Sequence, residues 1–263
     1  MNRYIVFMKQ VPLSTKIDMD PETKTLKRSS ALAQVNPDDL HALQCALDLK
    51  KLTGAEVVAV TMGPPSAEEV LREALQRGAD RGILLTSRAF AGSDTYCTAR
   101  VLASVAERIG DYSILFFGRM AIDGDTAQVG PEVAGMLGIP QCTYLVSIDK
   151  VGNESVVLSK QHGNVVRQME VQLPCAVMVG KENSRLDCLT LAGWRRAMKQ
   201  DITVWNENDL QLDLSSVGLN ASPTKVVSTE IPQNTKNISW LDSSADVVSV
   251  VEKMSNVLNC QTL

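Results

Sequence analysis

The stretch that decides the fold is Phe117-Gly118-Arg119-Met120-Ala121-Ile122-Asp123-Gly124-Asp125-Thr126-Ala127-Gln128-Val129-Gly130-Pro131. It extends the apolar run Ser113–Phe117, which reads as a buried strand, and it leads into a helix. In an open α/β sheet nucleotides bind in the crevice beyond the strand C-termini. A helix N-terminus there offers unpaired N–H groups and partial positive charge to a phosphate. Gly118 and Gly124 let the backbone approach a ligand closely, and Thr126 and Gln128 add side-chain donors. The same residues have a plainer reading, in which Asp125 and Gln128 form a capping box that binds nothing. Two aspartates, Asp123 and Asp125, also repel a phosphate unless they are turned away or used as caps.

Outward from this stretch, short β-branched runs alternate with segments of helical period, the signal for a parallel sheet covered by helices. The other strands of this part are predicted at Tyr4–Met8, Glu56–Thr61, Gly82–Leu85 and Cys142–Ile148. Between them, Asp38–Leu52 places Leu40, Leu43 and Leu47 on one side, flanked by Ala42, Ala46 and Leu49, a stripe that faces the sheet. Ser66–Gly78 is predicted as a helix opened by a Ser66/Glu69 capping box and closed by Gly78 in the left-handed conformation. A further helix, Ser93–Ile109, ends before Gly110.

After Ile148 the texture changes. Glu154–Lys160 and Asn164–Gln172 read as antiparallel strands joined across Gln161-His162-Gly163, a hairpin expected to cap the sheet. Cys175–Val179, behind Pro174, is another buried strand, and a short helix is expected over Leu191–Lys199. From Asn206 the chain is rich in Ser, Asn and Thr, with Pro223 and Pro232, and cannot build a core of its own. The apolar pattern in Ala245–Leu258 predicts a terminal helix that docks. The chain therefore divides into an α/β domain, residues 1–205, and an arm, residues 206–263, that lies along a partner. The fold class is a doubly wound, mostly parallel, Rossmann-like sheet with an added antiparallel hairpin.

Composition narrows the function classes. With 263 residues, 26 Lys+Arg against 30 Asp+Glu and a net charge of −4, the chain is a globular protein without the basic cluster a nucleic acid requires. No apolar run approaches the roughly 18 residues of a membrane span. Met1-Asn2-Arg3 leads straight into a strand too short for a signal peptide, so a cytoplasmic location is expected. Six cysteines without a CxxC pair, and two distant histidines, His41 and His162, argue against a zinc site, a disulfide framework or a His-based triad.

Two other strand ends point to the same crevice, Met8-Lys9-Gln10-Val11-Pro12 and Met62-Gly63-Pro64-Pro65. Glycine followed by paired prolines makes a rigid loop, either to line a flat ligand or merely to turn sharply. In Asn36-Pro37-Asp38-Asp39, Asp38 reads as a helix cap, while Asn36 either caps or hydrogen-bonds a purine or ribose.

In this order these segments, together with Arg72-Glu73-Ala74-Leu75 and Gly78-Ala79-Asp80, make the chain similar to the β subunit of electron-transfer flavoproteins over most of its length. The resemblance implies a heterodimer with an FAD-carrying α subunit, and a second adenine nucleotide in the β crevice. In the respiratory branch that ligand is AMP, and the loop reads Asp-Asp-Asp followed by Asn-Gln-Thr-Gly. Here it reads Asp-Gly-Asp-Thr-Ala-Gln-Val-Gly-Pro, similar to the electron-bifurcating branch in which β binds FAD.

Carried over by position, the implied cofactor contacts are Phe7, Asn36, Pro37, Asp38, Asp39, Met62, Gly118, Arg119, Asp123, Gly124, Asp125, Thr126, Ala127, Gln128 and Val129. The implied chemistry takes hydride from NADH and sends electrons to ferredoxin or flavodoxin and, through the α flavin, to an acyl-CoA dehydrogenase-like partner. Within Asn183–Lys199 the resemblance places a partner-binding leucine at Leu191, although Ser184-Arg185-Leu186-Asp187-Cys188 departs from the family's usual Pro-Arg-Tyr. Two other readings stand beside this one: a non-bifurcating β subunit with structural AMP, and a nucleotide-binding regulatory module of the same fold.

Overall fold

Nine strands share one sheet in the computed structural model, which describes residues 3–13, 33–181, 185–227 and 247–259. In chain order the elements are β1 (Arg3–Met8), β2 (Gln10–Pro12), β3 (Ala33–Val35), α1 (Pro37–Thr53), β4 (Glu56–Met62), α2 (Glu68–Arg77), β5 (Arg81–Leu85), α3 (Thr95–Ile109), β6 (Ile114–Gly118), α4 (Val129–Leu137), β7 (Gln141–Val151), β8 (Ser155–His162), β9 (Val165–Gln172), β10 (Cys175–Val179), α5 (Leu191–Ala197), β11 (Ile202–Trp205), α6 (Gly218–Ala221) and α7 (Val247–Asn259).

The sheet order is β11-β5-β4-β1-β6-β10-β7-β8-β9, with β2 and β3 forming a separate antiparallel pair. Strands β11 through β7 in that order run parallel. Their sequences are nearly continuous apolar runs because helices cover both faces. Along β1 the side chains alternate: Tyr4, Val6 and Met8 join Leu43, Leu47 and Leu71 of α1 and α2. Ile5 and Phe7 join Val101 and Val105 of α3 and Val133 of α4 on the other face. The chain moves outward from β1 to β4 and β5, then crosses back to lay β6 against the other side of β1. The strand order reverses between β1 and β6, and the crevice for a ligand opens there.

Several local expectations need correction. The β8–β9 hairpin does not cap the sheet; it prolongs one edge, because β8 pairs antiparallel with the long β7. Ser66 does not cap α2: the paired prolines steer the chain into a 3-10 turn over Pro65–Ala67, and its hydroxyl turns to Gln10 Oε1 at 3.4 Å. Gly78, at φ 134° and ψ 6°, lies outside the left-handed helical basin. The sequence reading missed β11, four residues beside β5, whose pattern is too short to signal a strand.

The segment after Asn206 does not wander at first. Leu210 and Val217 are buried against the α3 face, and Asp94 Oδ2 accepts from both the amide and the hydroxyl of Thr224 at 2.9 Å. One compact unit thus runs through Val227. Apart from α7, the rest of the expected arm, 228–246 with Pro232 and 260–263, lies outside the described residues, as do residues 182–184 before α5. Taken by itself, α7 exposes Val247, Val248, Val251 and Met254, an apolar stripe at helical spacing. Among the described residues no helix is long and apolar enough to cross a membrane.

Candidate functional site: the crevice at the strand reversal

Phe7 and Phe117 are register partners on β1 and β6, and their rings stack at 4.7 Å to form the floor of the crevice. Gly118 then brings the chain against the start of α1. A Cβ there would strike the Asp39 carboxylate and stand 2.8 Å from the Asp39 nitrogen, so only glycine fits. In α4, the Cβ of any residue replacing Gly130 would meet Met178 at 2.9 Å, so this glycine lets the helix seat on the floor.

The first half of the segment after β6 is fastened to α1. Asn36 is fully buried; its Nδ2 donates to Asp39 Oδ1 (3.0 Å) and to the Met120 carbonyl (2.9 Å), and its Oδ1 accepts from the Ile122 amide (3.1 Å). Asn36 occupies the N-cap position of α1 without a side-chain cap, since its amide is committed to the loop, and Pro37 starts the helix. Asp39 Oδ2 accepts from the Lys9 amide at 2.7 Å, and Asp38 Oδ1 accepts from Lys181 N at 3.1 Å. Arg119 Nε lies 3.4 Å from Asp38 Oδ2 without hydrogen-bond geometry, an attraction of charges alone. Burial pushes the Asp39 carboxyl up to about 7, with the neighbouring Asp38 adding to the rise, against the pull of hydrogen bonds from Asn36, Lys9 and Gly118.

The second half is open. Residues 122–128 are exposed, and a Cβ on Gly124 would meet nothing within 4 Å. Asp125 (φ 50°) and Ala127 (φ 53°) take the left-handed conformation, which costs roughly 1–2 kcal/mol each for residues with a Cβ. Ala127 is followed by Gln128 in the right-handed region, φ −99° and ψ −35°. Neighbours of opposite hand turn their amides into a concavity that suits an anion. Among the described residues, the amides of Thr126, Ala127 and Gln128 find no acceptor in the protein. They stand at the N-terminus of α4, where the helix dipole adds positive potential.

The difficulty of two aspartates resolves through Lys9. Its ammonium group donates to both oxygens of Asp123, at 2.7 and 2.8 Å, and offsets that carboxylate's charge. Asp125 and Gln128 do not form a capping box, since Gln128 is itself the N-cap residue and makes no cap bond. Its Oε1 instead accepts from the Thr95 hydroxyl at 3.0 Å.

The structure brings Phe7, Asn36 to Asp39, Met62 and Gly118 to Val129 to one end of the sheet, at the tips of β1, β4 and β6. It does not bring Leu191 there. That residue starts α5, which packs on α2 through Gly193, where a Cβ would run into the Gln76 carbonyl. With Gly193 and Ala197 turned inward, Leu191 (64% exposed), Trp194 and Met198 face outward, as does Leu189 just before the helix. Arg196 is held by the Leu75 carbonyl at 3.0 Å and so belongs to the packing.

Sequence reasoning missed Lys9 as the partner of Asp123 and missed Thr95 and Glu132 beside Gln128. A lysine just past the first strand, facing two aspartates in the fourth βα loop, was a signal within reach. Nothing in the sequence linked Thr95 to Glu132. Among the described residues no group of His, Cys, Asp and Glu is placed to hold a metal ion.

This strand reversal, in a mostly parallel sheet covered by helices on both faces, defines a doubly wound α/β protein. Comparison with known proteins specifies it further: the family model "Electron transfer flavoprotein domain" matches residues 23–210. The chain is similar to the caffeyl-CoA reductase-Etf complex subunit CarD of Acetobacterium woodii, 41% identical over 85% of this chain and 86% of the relative. It is 42% identical to the electron transfer flavoprotein subunit beta of Thermoanaerobacterium thermosaccharolyticum over 87% of each chain. With the acryloyl-CoA reductase electron transfer subunit gamma of Anaerotignum propionicum it shares 38% identity over 88% of each. The chain belongs to the electron transfer flavoprotein β-subunit family, whose function is electron transfer.

Proposed function

We propose that this chain is the FAD-binding β subunit of an electron-bifurcating flavoprotein complex, working in the cytoplasm beside an FAD-carrying α subunit. One observation carries the reading: the amides of Thr126, Ala127 and Gln128 have no protein acceptor among the described residues, in a loop where a Cβ on Gly124 would meet nothing within 4 Å. Unpaired, preorganised donors at a helix N-terminus suit a pyrophosphate, and the absence of a side chain at Gly124 leaves room for a dinucleotide.

The chain's own residues would bind and orient the cofactor. Gly118 to Val129 supply the cradle, Lys9 offsets the Asp123 charge, and the Phe7–Phe117 floor with Met62 gives the crevice an apolar base. Asn36 to Asp39 fix the loop's first half so that the second half keeps its shape. When bound, the flavin supplies hydride acceptance from NADH and single-electron transfer to ferredoxin or flavodoxin and, through the α flavin, to the dehydrogenase.

The names of two relatives, a caffeyl-CoA reductase complex subunit and an acryloyl-CoA reductase electron transfer subunit, support an acyl-CoA dehydrogenase-like partner. Leu191, apolar and outward on α5, is proposed as its anchor. Of the arm expected over residues 206–263, the part beyond Val227 is proposed to be held by the α subunit, and the exposed apolar stripe of α7 supports it. Gly124→Leu tests the cradle. It should remove flavin from β and leave the α flavin bound; unchanged two-flavin content in the purified complex would refute the placement.

A further inference from the structure

Glu132, in the first turn of α4, has no part in the function described above. Its Oε1 lies 3.2 Å from Thr95 Oγ1, which also lies 3.0 Å from Gln128 Oε1. Thr95 has a single hydroxyl proton and faces two acceptors, so both contacts cannot be donated at once. Glu132 Oε2 is buried and has no hydrogen-bond partner among the described residues. An orphaned buried oxygen is tolerable on a neutral carboxylic acid and costly on a carboxylate.

We propose that Glu132 is a positioning residue that couples cofactor binding to proton uptake by deciding which end of the Gln128 amide faces the cradle. The inference rests on the reading of this crevice as an FAD site. With Glu132 protonated, its OH donates to Thr95 Oγ1, Thr95 donates to Gln128 Oε1, and the Gln128 NH2 turns outward as a donor to the pyrophosphate. With Glu132 ionised, Thr95 donates to the carboxylate, and the Gln128 NH2 is drawn in to donate to Thr95. The amide oxygen then faces the cradle and repels an anion. Each pyrophosphate bound therefore holds one proton, taken from solvent, on Glu132.

The surroundings favour the neutral acid: burial foremost, and the nearby Asp94, push Glu132 above the usual carboxylate range, while the Thr95 hydrogen bond pulls it down. The other charged groups on the elements packed against α4 are engaged elsewhere or carry no such effect. On α3, Arg100 lies over Tyr96 and Arg108 over Trp205, with Glu107 in the last turn. Strand β10 has no charged residue, and on β7 Asp149 is bound by Ser147, Ser159 and Gln168, beside Lys150. In the loop, Asp123 is paired with Lys9, and Asp125 follows it.

The test is an equilibrium titration of the full-length chain, freed of nucleotide, with FAD and with riboflavin, which lacks phosphate, between about pH 5 and 8. The pyrophosphate of FAD keeps its charge throughout, so any pH dependence belongs to the protein. FAD affinity is expected to be flat at the acid end and to fall by up to about tenfold per pH unit above the Glu132 pKa, while riboflavin binding stays unchanged.

Glu132→Gln, whose NH2 replaces the acid OH as a donor to Thr95, should bind FAD at all pH values as tightly as the native chain does in acid. Thr95→Val should bind weakly and without pH dependence. FAD binding that is independent of pH in the native chain, or equally pH-dependent in Glu132→Gln, overturns the inference and leaves the FAD reading standing. Failure of the native chain to bind FAD at any pH overturns both.

Discussion

The two halves of the segment after β6 treat their polar groups in opposite ways. From Arg119 to Ile122 they are tied into the protein: Asn36 takes the Met120 carbonyl and the Ile122 amide, and Arg119 N donates to the Val179 carbonyl at 2.8 Å. Residues Asp123 to Gln128 are exposed, and the last three amides have no acceptor among the described residues. The proposed binding loop needs both conditions. Donors left free for a ligand are useful only if the chain that carries them is already fixed, because ordering it on binding would reduce affinity.

The largest effect that would break this comparison is expected at the hinge between strand and loop. Gly118→Ala drives a methyl group into the Asp39 carboxylate and backbone, and should lower stability to denaturant by about 3 kcal/mol and empty the crevice of flavin. Native-like unfolding with full flavin content would show that the contact gives way.

Next is Asn36→Ala, which removes the hydrogen bonds to Met120 and Ile122 and leaves Asp39 short of a donor, for a loss of about 2 kcal/mol. Hydrogen exchange sharpens the contrast. The Ile122 amide should lose its protection, while the Thr126 amide, already unpaired, should exchange as before.

Asp39 gives a pH signature. Its carboxyl is raised to about 7 in the folded chain from an ordinary 3.8, so the native state holds a proton that the unfolded state has released across that interval. This contribution to stability is fully present below the ordinary carboxylate range and is lost as pH rises through about 7. Its share amounts to about 1 kcal/mol between roughly pH 6 and 8. Thermal melts should show that loss in the native chain and not in Asp39→Asn.

Leu191→Ala lies on the remote α5 face. With Leu191 as the proposed anchor, electron transfer to the proposed dehydrogenase partner should weaken by about tenfold, with flavin content and stability unchanged. Normal coupling would place the anchor elsewhere. Gly124→Leu should likewise change stability by no more than about 0.5 kcal/mol, in spite of its large effect on flavin, because the site is open.

The parallel sheet was readable because fully buried strands carry long apolar runs, as in Ile114 to Phe117, and because α3 ends before Gly110. The crevice was readable because Gly118 and Gly124 follow such a strand. What the sequence could not show is how side chains distant along the chain share hydrogen bonds. Asn36 reads equally well as a cap or a ligand contact, yet its amide serves a loop more than eighty positions away. The Ser66/Glu69 pattern is a good capping box in isolation, but Pro64 and Pro65 determine the backbone before Ser66 can act. The hairpin's place at the sheet edge depended on the length of β7, which runs on to Val151, past its expected end at Ile148.

The most direct test is to denature the native αβ complex and identify the nucleotides released. A dinucleotide cradle in β predicts two FAD for each αβ pair. One FAD together with one AMP would contradict it, and would leave this chain a scaffold with no flavin of its own.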